Sequence, residues 1–390
     1  IEKEEQAYGT ILSKDKKTTF INISIDAPRD DVEKEYAESM EHIFAFMDPL
    51  KKEPVGKTDL SITRLGSGGT TFGNLHAVMS DDDAIDTIHS AYNQGIRYFD
   101  TAPLYGNGLS EVRMGKAFKD LRGNDFIVST KVGYSLKPTS PDKLAFMPGF
   151  VDPLPFTPTY EFSRDSILKS LDQSIQRLNI DSIDIVYIHD PDEGVGLFNN
   201  RNPYEKSHFV DVMGKVYPAL NELRDQGIIK AIGVGMNQWQ MLADFATAGD
   251  FDIFLLAGCY SLLKQDALEK FLPLCEKKSI SVVIGSPYHS GILATGTKEK
   301  TYYNGSPATS EVLEKTRHIE AVCKKHRVSL PAAAIQFPFG HPAVKSVLPA
   351  SRSPKEIKSN IDLFTQKIPV EFWEELKFLS ILEKSAPTPC

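Results

Sequence analysis

The sequence is poor in cysteine, in long apolar runs and in clustered positive charge. The 390 residues contain only four cysteines, and these show neither metal-ligand spacing nor a disulfide-dense pattern: Cys259, Cys275, Cys323 and Cys390. We therefore expect reduced thiols in a cytoplasmic protein, although an upstream targeting segment stays open because the chain begins at Ile1. No apolar run is long enough to cross a bilayer. A net charge of -8 without a Lys/Arg block argues against nucleic-acid binding.

The first fifty or so residues differ from the rest in their charge-rich composition. Only the run TTFINISI looks strand-like there, and one amphipathic helix is predicted near Val32 to Met47. We therefore predict a charged extension over residues 1–53 and a single larger domain over residues 54–390. Nothing in the sequence sets the oligomeric state or assigns a role to the extension.

From about Pro54 onward, short apolar runs alternate with longer segments of helical period. The eight strand candidates are ITRLG, IRYFD, FIVSTK, IDIVYIH, IKAIGVG, FDIFLLA, ISVVIG and VKSVLP. The helix candidates are DDAIDTIHSAYNQG, SEVRMGKAFKD, SRDSILKSLDQSIQRLN, FVDVMGKVYPALNELRDQG, QWQMLADFATAG, KQDALEKFLPLCEKK and SPKEIKSNIDLF. Eight such units predict an α/β fold, the closed (β/α)8 TIM barrel. An open doubly wound sheet is the alternative, but no linker divides the chain and no GxGxxG follows the first strand.

Polar residues close three successive strand candidates. Asp100 ends IRYFD, Lys131 ends FIVSTK and His189 ends IDIVYIH, while Tyr105 follows in the loop after Asp100. Each has a structural explanation as a helix cap, a core aromatic or a solvated rim residue. Because catalytic groups of a (β/α)8 barrel lie at the C-terminal ends of its strands, their joint occurrence on neighbouring strands predicts one catalytic rim.

These four residues suit proton transfer at an oxygen. Tyrosine has an ordinary pKa of about 10, and a neighbouring Lys131 ammonium lowers it, with Asp100 holding the lysine charged. His189 can donate a hydrogen bond to the substrate oxygen. This set fits carbonyl reduction or alcohol oxidation, and it includes no evident nucleophile and no metal-ligand cluster. The hydride must then come from a cofactor.

The segment FDTAPLYGNGLSEVRMG resembles the signature of the aldo-keto reductase superfamily, and Lys131 and His189 fall where the catalytic tetrad of that family requires. The resemblance runs from about Val55 to a C-terminal helix around Phe372. It implies a metal-independent, nicotinamide-dependent oxidoreductase that acts on a small molecule. Tyr105 would be the proton donor or acceptor, His189 would orient the substrate oxygen, and Lys131 with Asp100 would tune the tyrosine. Glu111 and Arg113 in the same segment are expected to fix the helix and loop rather than touch substrate.

The resemblance also carries over to the cofactor site. Asn237 is similar to the asparagine that holds the nicotinamide carboxamide, although Met236 replaces the serine of many members. The loop GSPYHSGILATG is similar to the pyrophosphate-binding loop, and LPASRSPKEIKSN to the adenosine-phosphate segment. The implied contacts are Ser286, Pro287, Tyr288, Ser290, Gly291, Ala350, Ser351, Arg352 and Asn360.

Three departures from the family pattern concern the cofactor. Ala350 and Glu356 stand where many NADP-preferring relatives have a lysine and an arginine, so the 2'-phosphate would lose two cations and face a carboxylate. This favours NAD, while Arg352 keeps NADP as an alternative. Gly285 replaces an aromatic ring that many members stack on the nicotinamide.

The details IHDPDE, SPYHSGILATG and FPFGHPAVKSVLPASRS resemble the branch with D-threo-aldose 1-dehydrogenase, L-fucose and L-galactose dehydrogenases and pyridoxal 4-dehydrogenase. That resemblance implies oxidation of a cyclic hemiacetal to a lactone. The acids after His189, namely Asp190, Asp192 and Glu193, either bind sugar hydroxyls or form a solvated loop. The insertion from Tyr134 to Glu161 is expected to roof the site. Its aromatic residues are Phe146, Phe150, Phe156 and Tyr160, which suit an apolar substrate equally well.

Two further functions therefore stay open. The first is NADPH-dependent reduction of an aldehyde or ketone of a secondary metabolite. The second is a non-enzymatic, cofactor-sensing subunit of the kind found on channels, which the intact tetrad disfavours.

Overall fold

The computed structural model describes residues 10–12, 18–20, 48–121, 125–140, 149–194, 202, 204–298 and 301–389. The chain divides into two units, Ile1–Asp48 and Pro49–Cys390. In the first unit, Thr10–Leu12 pairs antiparallel with Thr18–Phe20. The helix predicted near Val32 to Met47 lies outside the described residues. The second unit begins before the predicted boundary at position 54.

The second unit contains eight parallel strands that form a barrel. These are β1 (Ser67–Gly68), β2 (Tyr98–Asp100), β3 (Ile127–Val132), β4 (Ile185–His189), β5 (Ala231–Met236), β6 (Ile253–Ala257), β7 (Ser281–Gly285) and β8 (Val344–Leu348). Each strand pairs with the next. Parallel bridges Leu65–Val347 and Gly68–Ala350 join the last strand to the first. The predicted (β/α)8 barrel is confirmed, and the open doubly wound sheet is excluded.

The first strand lies later than the segment ITRLG predicted for it. Ser61–Thr63 instead pairs antiparallel with Lys52–Pro54, and the barrel strand is Ser67–Gly68. The apolar side chains of this hairpin, including Leu60 and Ile62, pack with Tyr98 and Ile253 in the barrel core. The hairpin therefore closes the bottom of the barrel, and its burial there produced an apolar pattern like that of a barrel strand.

Ten helices surround the barrel in the described ranges. They are α1 (Asp81–Asn93), α2 (Leu109–Phe118), α3 (Arg164–Leu178), α4 (Tyr217–Asp225), α5 (Gln240–Ala248), α6 (Phe271–Lys278), α7 (Ser310–His326), α8 (Leu330–Gln336), α9 (Pro354–Phe364) and α10 (Val370–Phe378). Shorter turns lie at Thr71–Gly73, Phe209–Asp211, His289–Gly291, Ile292–Thr295 and Phe337–Gly340. None of the described helices is both long and apolar enough to cross a membrane.

Two helix predictions change at their N-terminal ends. The segment from Phe209 contains one α turn, then a π-helical turn over Val212–Val216, then α4. Pro218 has no N–H to donate, which explains the local change in hydrogen bonding. Helix α6 begins at Phe271, later than the predicted Lys264, because residues 266–270 form turns instead.

In the described part of the second unit, three antiparallel hairpins lie outside the barrel wall. Besides the one at the bottom, Tyr134–Pro138 pairs with Phe156–Tyr160, and Tyr302–Tyr303 pairs with Ser306–Pro307. The hairpin beginning at Tyr134 directly follows β3, so it rises from the C-terminal rim of the barrel. The predicted catalytic residues lie on that rim.

Candidate active site

The four residues predicted to be catalytic meet at the C-terminal ends of β2, β3 and β4. Lys131 Nζ donates to Asp100 Oδ2 at 2.7 Å and to the Thr101 carbonyl at 2.7 Å. The same ammonium lies 4.8 Å from the centre of the Tyr105 ring. The ring centres of Tyr105 and His189 are 6.0 Å apart in an edge-to-face arrangement. The structure therefore brings together the residues that the sequence placed on separate strands.

Asp100 and Lys131 form a buried ion pair, and each has further hydrogen-bond partners nearby. Only 1% of Lys131 is exposed, and Asp100 Oδ1 accepts a further hydrogen bond of 2.7 Å from Ser129 Oγ. Burial alone lowers the pKa of Lys131, but the Asp100 carboxylate and Tyr105 more than offset this, so its pKa is raised. The lysine is therefore held charged beneath Tyr105.

Tyr105 is placed by a tight contact between two loops. A Cβ on Gly106 would lie 2.5 Å from the Gly73 oxygen, and Gly106 has a φ of +63°. A Cβ on Gly73 would lie 2.5 Å from the Tyr105 carbonyl carbon. Both positions therefore require glycine. The Tyr105 ring also stacks on Phe150, with centres 6.0 Å apart.

The pKa of Tyr105 is raised to about 12. Burial is the largest cause, the Lys131 ammonium opposes it, and the Asp100 carboxylate adds to it. The sequence-based prediction was right about the direction of the lysine's effect and wrong about the net result, because it did not include burial. Tyr105 is a phenol rather than a phenolate at neutral pH.

His189 is a neutral imidazole in this environment. Burial lowers its pKa well below 6.5, and the Lys131 charge lowers it further. Its Nε2 lies 3.7 Å from Asp190 Oδ2. The buried Nδ1 has no hydrogen-bond partner among the described residues. A neutral imidazole retains one N–H to donate to a substrate oxygen.

The acids after His189 do not form the solvated loop that was one of their two predicted roles. Asp190 and Asp192 are buried. Glu193 pairs with Lys206 at 2.8 Å and with His208 at 3.0 Å. Burial and the neighbouring Asp192 raise the pKa of Asp190 well above its ordinary value, against the opposing effects of Lys131 and Asn237.

The insertion after β3 lies against the candidate catalytic residues. Its Tyr134 ring centre is 5.3 Å from that of His189, and Tyr134 OH donates to Tyr160 OH at 2.7 Å. Phe150 covers Tyr105 as described above. Phe146 lies outside the described residues. The described parts of the insertion therefore give the site an aromatic wall.

Glu111 ties helix α2 to a neighbouring strand and helix, and Arg113 binds a neighbouring loop, so both have supporting contacts as expected. Glu111 accepts from Thr130 Oγ1 at 2.6 Å and from Arg177 Nε at 2.7 Å. Arg113 donates to the Phe72 carbonyl and to Asn74 Oδ1, both at 2.8 Å. Arg113 thereby fixes the loop that contacts Tyr105.

Sequence reasoning missed two supporting residues, Ser129 and Asn74. Ser129 lies two positions before Lys131, on the same face of β3, and that spacing was the available signal. Asn74 lies in the loop that Arg113 holds, and its side chain also accepts from the Met79 N–H at 2.9 Å. No sequence pattern indicated this second contact.

The predicted cofactor residues lie in the loops after β5, β7 and β8, except Asn360, which lies in helix α9. Tyr288 OH donates to Asn360 Oδ1 at 2.8 Å, and Asn360 Nδ2 donates to Ser351 Oγ at 3.1 Å, which joins the last two loops. Asn237 Nδ2 lies 3.5 Å from Asp190 Oδ1. The remaining predicted contacts follow β7 or β8 in the chain: Ser286, Pro287, Ser290, Gly291, Ala350 and Arg352.

The loop after β7 has the backbone and polar groups of an anion-binding turn. Ser286, Ser290 and Gly291 have φ values of +52°, +56° and +98°. The hydroxyl-bearing Ser286 and Ser290 are exposed, and Pro287 is buried. A Cβ on Gly291 would meet no atom within 4 Å, so this side of the turn is open. Left-handed turns and helix N-termini present N–H groups to phosphates, so the loop fits a pyrophosphate.

The β8 segment leads into the N-terminus of α9. Arg352 Nη2 donates to the Ala77 carbonyl at 3.0 Å and also to the Leu75 carbonyl, so this guanidinium already has acceptors. Glu356 Oε2 accepts the Arg352 backbone N–H at 2.8 Å. A carboxylate therefore lies in the first turn of the helix, where a phosphate would otherwise be favoured.

Gly285, at the end of β7, has no room for a larger side chain without movement of its neighbours. A Cβ there would lie 3.1 Å from Leu255 Cδ2 and 3.3 Å from Ala257 Cβ. Leu255 and Ala257 therefore pack closely against Gly285. Among the described residues, no group of His, Cys, Asp and Glu side chains is arranged to hold a metal ion.

Comparison with known proteins gives consistent results. The model of the Aldo/keto reductase family matches residues 64–381. The chain is 37% identical to pyridoxal 4-dehydrogenase of Microbacterium luteolum over 84% of this chain and 96% of that protein. It is 34% identical to D-threo-aldose 1-dehydrogenase of a Pseudomonas species over 85% of this chain and 96% of that protein. An aldo-keto reductase of Bacillus halodurans shares the fold, with a TM-score of 0.66 and 23% identity over 84% of this chain and 96% of that chain.

Proposed function

The chain belongs to the aldo/keto reductase family, and from that premise we propose that it oxidises the C1 hemiacetal of an aldose, or a similar cyclic hemiacetal, to a lactone with NAD. As an NAD(P)-dependent oxidoreductase, it takes small-molecule substrates. The observation that carries the proposal is the position of Tyr105 over the buried Lys131–Asp100 pair and beside a neutral His189.

The side chains have distinct roles in the proposed reaction. His189 donates to the reacting oxygen and fixes its direction. Tyr105 accepts the hydroxyl proton, and the charged Lys131 stabilises the phenolate that must form first. Asp100 positions Lys131 through the 2.7 Å contact. Bound NAD supplies the hydride acceptor.

The proposed cofactor contacts are made by polar groups that come after β5, β7 and β8. Asn237 would hold the carboxamide, the Ser286–Gly291 turn the pyrophosphate, and Ser351 with Asn360 the adenosine side. Glu356 in the first turn of α9 supports NAD over NADP, because a 2'-phosphate would face its carboxylate. Arg352 contributes little to the opposite preference, since its guanidinium binds backbone carbonyls.

The hemiacetal substrate is supported by the names of the similar proteins and by the acids near His189. One similar protein is named for pyridoxal and the other for D-threo-aldoses. Asp190, which follows His189, gives this chain a buried carboxyl group beside the reacting position. A carboxyl group binds hydroxyls well, and a polyhydroxylated substrate provides them.

Reduction of an aldehyde or ketone with NADPH is the second candidate. It is favoured by the raised pKa of Tyr105, which leaves a phenol ready to donate its proton, and by the aromatic wall of Phe150 and Tyr134. A non-enzymatic sensing subunit has less support, because the Asp100–Lys131 pair and Tyr105 are all in place.

A substrate panel separates the two candidates. Free aldoses and pyridoxal with NAD are scored by NADH absorbance, beside aldehydes with NADPH. We expect the highest kcat/KM in the first set, with a lactone as the product. Activity confined to the second set would refute lactone formation, and no hydride transfer in either set would refute an enzymatic role.

A further inference from the structure

The carboxyl group of Asp190 lies in the active site without a close hydrogen-bond donor among the described residues. Its Oδ1 is 3.5 Å from Asn237 Nδ2, and its Oδ2 is 3.7 Å from His189 Nε2. Close hydrogen bonds from nitrogen measure about 2.7–3.2 Å. Only 6% of Asp190 is exposed. A buried carboxyl group with such weak partners is less stable than the same group in water. A bound molecule that donates a hydrogen bond to it would offset this cost.

Other acids around the rim are fully engaged. Asp100 receives hydrogen bonds of 2.7 Å from Lys131 and from Ser129. Asp192 receives 2.7 Å from Gln238 Nε2 and 3.2 Å from the Gly194 N–H. The same loops thus provide close donors to one acid and leave Asp190 with long contacts. The difference points to an outside donor at Asp190.

The position of Asp190 relative to His189 restricts what that donor is. Asp190 Oδ2 lies 3.7 Å from His189 Nε2, the atom that binds the reacting oxygen in the proposed reaction. Oxygens on neighbouring carbons lie about as far apart as hydrogen-bonded oxygens, roughly 2.8 Å. One substrate can therefore make both contacts at ordinary distances. Its reacting oxygen binds His189 Nε2, and a second oxygen on the adjacent carbon binds Asp190 Oδ2.

We propose that Asp190 accepts a hydrogen bond from a hydroxyl on the carbon next to the reacting carbon, and that it thereby selects hydroxylated hemiacetals over simple aldehydes. This inference rests on the proposed function, because it takes the reacting oxygen to lie on His189 Nε2. It assigns one of the two buried acids to substrate selection. Asp192, which has close donors of its own, holds the loops after β4 and β5 together.

The test combines a change in the enzyme with a change in the substrate. Wild type and Asp190→Ala are assayed with the panel aldose that has the highest kcat/KM and with its 2-deoxy analogue, beginning with L-galactose and 2-deoxy-L-galactose. We expect Asp190→Ala to lower kcat/KM for the aldose by about 10- to 100-fold, the value of a hydrogen bond to a charged or buried group. The 2-deoxy analogue should lose much less, because it has no hydroxyl to lose.

Two variants guard against a purely structural explanation. Asp190→Asn keeps one acceptor oxygen and should retain more of the preference for the aldose than Asp190→Ala does. Asp192→Asn is the matched control, and it should affect the aldose and the analogue equally. NADH fluorescence and thermal unfolding show whether each variant is folded.

The outcomes separate the two levels of the claim. If the wild type is active and Asp190→Ala loses kcat/KM equally on both substrates, the role of Asp190 is overturned and the proposed function stands. Wild-type inactivity on every hemiacetal of the panel would overturn the proposed function and this inference with it. A loss confined to the hydroxylated substrate supports both.

Discussion

The rim at β2 to β4 and the loops after β7 and β8 hold their polar groups in different ways. On the rim, Asp100, Lys131 and Ser129 are buried and joined by side-chain contacts of 2.7 Å. In the loops, Ser286 and Ser290 are exposed and Arg352 bonds to backbone carbonyls, while Glu356 in the following first turn of α9 bonds to a backbone N–H. The ion pair proposed to support catalysis is thus built on strands, where a changed partner leaves a buried charge. The proposed cofactor contacts lie in loops and at the start of α9, where substitutions of exposed side chains are expected to cost less stability.

The largest expected effect is the loss of the proton acceptor on the rim. Tyr105→Phe should lower kcat by about 10²- to 10⁴-fold, the usual contribution of general acid–base catalysis. Affinity for NADH, measured by fluorescence titration, should stay near the wild-type value, because the proposed cofactor contacts lie in other loops. Undiminished turnover would remove Tyr105 from the mechanism.

The pH dependence of kcat tests the raised pKa of Tyr105, which results from its burial. With a pKa of about 12, Tyr105 is protonated at neutral pH, and only the deprotonated form accepts a proton. The kcat for oxidation should therefore rise by about tenfold per pH unit from neutral pH upward while chemistry limits the rate. Reduction, which needs the protonated form, should not rise. A flat oxidation profile in a chemistry-limited assay would contradict this.

Replacement of Lys131 should lower the stability of the protein, because it breaks the buried ion pair on the rim. Lys131→Met leaves Asp100 buried without its cation, so the free energy of unfolding should fall by about 3–5 kcal/mol. Urea denaturation measures this change. The double variant Lys131→Met/Asp100→Asn removes both charges and should recover part of the loss. Equal losses in the single and double variants would mean that the charge pair is not the cause.

The smallest effect is expected at Glu356, in the first turn of α9. Glu356→Arg should shift the ratio of kcat/KM values towards NADP by about 10- to 100-fold, as a charged hydrogen bond replaces a repulsion. Glu356→Gln removes only the carboxylate and serves as the control, with a smaller shift. Thermal unfolding should change little in either variant. An unchanged cofactor ratio would refute the assignment of Glu356 to the adenosine side.

The buried strands of the barrel are the part of the fold that could be predicted from the sequence. Strands such as IDIVYIH are buried on both faces, so their apolar runs are unambiguous, and a polar residue at the end of each is easy to see. Asp100, Lys131 and His189 were found in this way. The hairpin of Lys52–Pro54 and Ser61–Thr63 was misread because it buries the same residue types at the bottom of the barrel.

Other features depend on contacts between distant parts of the chain. The raised pKa of Tyr105 comes from burial, which requires Phe150 and the Gly73 loop to be in place. The long contacts of Asp190 are set by the distances to His189 and Asn237 across two loops. No spacing in the sequence encodes either one. The cofactor loops were found through family resemblance, and their contacts to backbone groups could only be seen in the structure.

The most direct test of the central claim is to follow the hydride itself. The preferred aldose, deuterated at C1, is oxidised with NAD, and the NADH and sugar product are analysed by mass spectrometry. The account predicts one deuterium in each NADH formed, a lactone in equal amount, and formation of both products about 10²- to 10⁴-fold more slowly with Tyr105→Phe. Deuterium released to water, or NADH formed without a lactone, would contradict it.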